Sequence, residues 1–68
     1  MKNNEKTMTE LENLIDGLGL QCVLEMTSQI CYLKSQHIEE NWQDTHLAKC
    51  WNKAGNKIAR IAYLCNNL

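Results

Sequence analysis

The sequence has no proline, no phenylalanine and only three glycines. Without proline, few positions force a break in a regular element. Valine is almost absent and threonine is scarce, so the residues that favour strands are missing and helices are expected. No run of about 18 apolar residues occurs, which excludes a transmembrane helix. Met1 to Glu10 are polar and lack the apolar stretch of a signal peptide, so a cytoplasmic location is expected, in the source cell or a host cell. Closely spaced cysteines are also lacking. Cys22, Cys31, Cys50 and Cys65 stand well apart, and a reducing compartment would keep them as thiols. Strong net charge is absent too: a formal charge of -1 and a pI near 6.0 give no global field that draws in nucleic acid or membrane.

What is present fits one small domain. The chain has 68 residues and is expected to be a complete short reading frame. A domain of this size buries only about 60% of the surface its unfolded chain exposes, so a self-sufficient core is marginal. Residues 1–8 are polar and read as a flexible N-terminus. Thr9 reads as an N-cap, with Glu12 completing a capping box, for a first helix over about 10–16. Gly17-Leu18-Gly19 ends it. A second helix is expected over about 20–40, with Asn41 as its stop. A third runs over about 44–65 from an Asp44 N-cap. The fold class is therefore all-α, a long antiparallel helical hairpin preceded by one short helix.

In the third helix Leu47, Trp51, Ala54, Ile58, Ile61, Cys65 and Leu68 alternate at steps of four and three, a coiled-coil type of seam. Ala48, Gly55 and Ala62 lie beside it, seven residues apart, and would let another helix approach closely. In the second helix the apolar residues fill an arc of about 200°, where one packing partner needs about 100°. The polar remainder holds Gln21, Ser28, Ser35 and Tyr32 among others. The third helix covers one side of that arc, and the short first helix cannot cover the rest. The expected resolution is a homodimer or higher oligomer, a helical bundle with Cys22, Met26, Ile30, Leu33, Trp51, Ile58 and Ile61 at its interface. The alternative is a three-helix monomer that leaves Met26, Leu33 and Cys22 partly exposed.

The near-zero net charge hides a partition. Residues 1–44 carry eight acids and three bases, a charge of -5, while residues 45–68 carry four bases and no acid, a charge of +4. His46, Lys49, Lys53, Asn56, Lys57, Arg60 and Tyr63 share an arc of about 120° on the third helix, opposite its apolar seam. Like charges at i, i+4 repel by a few tenths of a kcal/mol, so an anionic ligand, an acidic partner surface or the acidic half of a neighbouring subunit would offset the ridge. A solvated lysine face near a helix C-terminus is the plain alternative. Lys34 and His37 interrupt the apolar arc of the second helix, and they either line a ligand pocket or snorkel and cap a carbonyl.

The chemistry-bearing constellations are thin. His46 and Cys50 share a face at i, i+4, and an antiparallel hairpin brings His37 near them, but no CxxC pair accompanies them and no metal site is expected. No oxyanion hole or phosphate loop accompanies a Cys–His pair, so neither catalysis nor a cofactor is expected. Trp51 reads as core; Trp42 either folds back onto the hairpin end, which is the expectation, or stays available for stacking against a ligand or partner. The reading is a non-catalytic, homo-oligomeric binding protein. It would capture an anionic, nucleotide-like small molecule or block an acidic partner surface, through the basic face with Lys34 and His37. Its size suits a phage-type inhibitor or sequestering protein, by analogy alone. The rivals are an adaptor docking through the second helix and a nucleic-acid-binding module. The acidic first half makes nucleic acid an unlikely partner.

Overall fold

The structure, a computed structural model, describes residues 4–68. Residues 1–3 of the expected flexible N-terminus lie outside the described residues. Three helices follow one another: α1 (Asn4–Leu18), α2 (Leu20–Trp42) and α3 (Thr45–Leu64). An all-helical chain with an α2–α3 hairpin agrees with the sequence reading.

The helix ends differ in instructive ways. α1 starts at Asn4 rather than after Thr9, and it includes residues 4–8. Thr9 sits inside it, its hydroxyl donating to the Glu5 carbonyl at 3.0 Å, so the side chain is satisfied without acting as a cap. Glu5, Lys6 and Met8 are good helix formers, and nothing upstream of Thr9 breaks the pattern. α1 ends because Gly19 has φ 88°, which glycine adopts without strain. α2 runs two residues beyond its expected end at residue 40, through the expected stop at Asn41. Gln43 ends it instead, in the left-handed region at φ 53°. Asn41 remains helical, and its amide donates to the His37 carbonyl at 3.0 Å. The Asp44 cap is as expected: its carboxylate accepts from the Leu47 N–H at 3.0 Å.

Ser28 donates to the Gly55 carbonyl at 2.8 Å, and Ser35 donates to the Ala48 carbonyl at 2.6 Å. Seven residues forward on α2 correspond to seven backward on α3, so the helices are antiparallel. The seam on α2 is Gln21, Leu24, Ser28, Cys31, Ser35 and Ile38. On α3 it is Ala48, Trp51, Gly55, Ile58, Ala62 and Cys65. Ser28, Cys31, Ala48, Gly55 and Ala62 are buried, and the other seam residues are half-buried. This corrects the expected α3 seam, which turns by roughly 50° about the helix axis. Trp51, Ile58 and Cys65 stay in it, while Ala48, Gly55 and Ala62 replace Leu47, Ala54, Ile61 and Leu68.

Close approach is the physical reason. A Cβ on Gly55 would stand 2.8 Å from Cε1 of Tyr32 and 3.2 Å from Cβ of Cys31. Only small side chains let the backbones come near enough for serine hydroxyls to reach main-chain carbonyls. On α2, Ser28 and Ser35 belong to the sequence's polar arc, so α3 docks at the border of the apolar arc rather than over it. Tyr32 closes one side by donating to the Asn56 side-chain oxygen.

The result is flat. The Cα trace measures 37 × 33 × 12 Å, about one helix thick. The backbone of α1 approaches only that of α2, and none of its residues is buried. No helix among the described residues is long and apolar enough to cross a membrane.

Candidate functional site

The last three turns of α2 and the first two of α3 frame an open groove of about 520 Å³ at the turn end of the hairpin. Its apolar walls are Ile30, Leu33, Ile38 and Leu47, and the two indoles of Trp42 and Trp51 also line it. Lys34 and His37 are the charged or titratable side chains on this lining, which contains no carboxylate. The Lys34 ammonium lies 5.8 Å from the centroid of the Trp51 ring, a cation–π arrangement. Thus Lys34 crosses the apolar surface and ends on an aromatic face.

His37 is exposed, and its Nδ1 lies 3.1 Å from the Asn41 amide nitrogen. When Nδ1 accepts that bond, the neutral ring carries its proton on Nε2 and offers it as a donor. Trp42 corrects an expectation: it is 72% exposed rather than folded back. Its position follows from the two extra residues of α2, which carry the stripe of Lys34 and Ile38 onward by four. Continuing α2 past Asn41 places Trp42 on the stripe of Lys34 and Ile38, and so in the groove.

The other expected ligand residues lie elsewhere. His46, Lys49, Lys53, Lys57, Arg60 and Tyr63 are exposed along the outer edge of α3. Asn56 is engaged by the Tyr32 hydroxyl across the hairpin. The set anticipated as one site therefore falls in two places, Lys34 and His37 in the groove and the basic ridge around the far side of α3. His37 shares the groove with Leu47 and Trp51 rather than with His46 and Cys50. Those two pair with each other, Nε2 to Sγ at 4.0 Å. Among the described residues no three metal-ligating side chains converge.

The expected interface residues divide as well. Met26, Ile30, Leu33 and Ile61 are exposed and Cys22 is half-buried, whereas Trp51 and Ile58 lie half-buried in the hairpin seam. The Cys22 thiol lies 3.9 Å from the Met26 sulfur, which places both on the outer edge of α2. No protein-family model, curated protein or solved structure matches the chain.

Proposed function

We propose that this chain is a non-catalytic binding protein that works as a homo-oligomer and takes an anionic, aromatic small molecule of nucleotide type in the Trp42–Trp51 groove. One observation carries the reading: among the described residues thirteen large hydrophobic side chains are at least 40% exposed, while no large one is fully buried. A lone chain holding its largest apolar groups outward and its smallest inward has its seam but not its core. Covering the exposed part of about ten such side chains is worth on the order of 10 kcal/mol. That is comparable to the roughly 4–15 kcal/mol that association costs in lost freedom.

The ligand class rests on the groove's chemistry. The exposed indole of Trp42 offers aromatic surface for stacking a planar ring, and Trp51, with Lys34 over its ring, lines the groove beside it. Lys34 supplies a cation and His37 a donor, and no lining carboxylate would repel an anion. The groove's size falls in the range of small-molecule sites, and a second copy over the apolar face would deepen it. The acidic-surface alternative belongs to the ridge of α3, which is convex and offers no enclosure for a small molecule.

Sedimentation of the full chain at micromolar concentration tests the assembly, with a mass of two or more chains expected. A single-chain mass would overturn it and favour docking to a different protein. Native mass spectrometry and titration with adenosine monophosphate test the ligand. Lys34→Gln is expected to weaken binding roughly tenfold, the scale of one charge-assisted contact. Absence of binding, or binding indifferent to Lys34, would sink the ligand class.

A further inference from the structure

We propose that α1 is an exchange arm: its apolar stripe and acidic flank dock against the basic outer edge of α3 in a second copy of the chain. The inference deepens the reading that the protein assembles with itself, and it rests on that reading.

Two surfaces are left without partners. On α1, Met8, Leu11, Ile15 and Leu18 recur at steps of three, four and three, and none is buried. Glu5, Glu12 and Asp16 line one flank of that stripe, at steps of seven and four. On α3, Ile61 and Leu64 are 51% and 73% exposed. They sit one turn beyond Lys57 and Arg60, so an apolar strip borders the ridge. Each surface thus joins an apolar stripe to a row of charge, of opposite sign in the two cases.

The spacings also match. Glu5 and Glu12 are seven residues apart, as are Lys53 and Arg60, a rise of about 10.5 Å along either helix. Two ion pairs could therefore form together at a single register. Within one chain the backbone of α1 approaches that of α2 but not that of α3, so the match is unused. Gly19 supplies the joint that turns α1 away from its own hairpin: its φ of 88° is strained for any residue with a side chain. A second copy is the occupant that carries both halves of the match, and in a symmetric pair each arm meets the other chain's ridge.

The test compares the dissociation constant of the full chain with that of three charge variants, by sedimentation at low and high ionic strength. Reversing the ridge (K53E, K57E and R60E together) is expected to weaken assembly about tenfold or more at low salt, because both exposed ion pairs become repulsive contacts. Reversing the arm (E5K, E12K and D16K) should do the same. All six changes in one chain should restore assembly, because each arm again meets an opposite ridge. High salt should compress these differences. These positions are exposed, and unchanged helicity by circular dichroism would confirm that folding is intact. A wild-type oligomer indifferent to either reversal would overturn the arm and leave self-assembly standing, whereas a monomeric wild type would overturn self-assembly itself. Reversals that change thermal unfolding but not the dissociation constant would place α1 on its own hairpin and also overturn the proposal.

Discussion

The seam between α2 and α3 and the broad face beside it follow opposite rules. In the seam the buried residues are Ser28, Cys31, Ala48, Gly55 and Ala62, all small. On the face, Leu33 is 64% exposed and Ile30 52%. Hydrophobicity alone would have turned α3 the other way. Steric fit decided the seam, because small residues let the helices approach until hydroxyls reach backbone carbonyls. The large apolar side chains beside the seam stay exposed in the single chain, and a second copy is their proposed covering.

The largest way to break this contrast is to put bulk into the seam. Gly55→Leu should cost about 3 kcal/mol or more, since even a Cβ there collides with the Tyr32 ring. Urea unfolding would measure it, and a variant as stable as wild type would show that the seam is not tight. Second comes charge on the broad face. Ile30→Asp with Leu33→Asp should weaken assembly a hundredfold or more, about 3 kcal/mol, with helicity retained. Sedimentation reads the mass, and an unchanged oligomer would remove this face from the interface.

Third, Ser28→Ala should cost about 1 kcal/mol of unfolding free energy, as expected for one internal hydrogen bond. No loss at all would mean that small size, and not the hydroxyl, holds the seam. The smallest effect is at the turn. Gln43 holds a left-handed conformation that disfavours a side chain, so Gln43→Gly should stabilise the hairpin by roughly 0.5 kcal/mol. A raised melting temperature with an unchanged oligomer mass would separate the hairpin's own stability from assembly.

Much of the hairpin was legible in the sequence. Asp44 marked the start of α3, Gly19 fell at the only break before α2, and the absence of proline left long helices as the simplest outcome. The facing of the helices was less legible. Pattern reading places the largest apolar residues at the contact, and here the contact went to a stripe of small ones. Ser28 and Ser35 belong to a polar arc on a helical wheel, and only the partner's nearby carbonyls make them interior. Ala48, Gly55 and Ala62 were visible as a stripe permitting close approach, but their spacing did not say which helix would use it. The groove was half legible. Lys34 and His37 stood out as interruptions of an apolar arc, whereas Trp42 was hidden by placing the helix stop two residues early. The basic ridge was plain in sequence. Its separation from Lys34 and His37 depends on the rotation of α3, which composition does not encode.

Because Ser28 and Ser35 donate to main-chain carbonyls, the hairpin's alignment depends little on which side chains α3 carries elsewhere. At Gly55 and Ala48 the chain needs smallness, and the carbonyl is supplied whatever the residue. Selection is therefore free to rewrite the outward faces of α3 without unfastening the hairpin. In a saturation mutagenesis screen scored on folding alone, α3 should tolerate wide substitution outside its seam. Scored on assembly or binding, intolerance should spread to those same outward positions, and the difference between the two maps would outline the functional surface.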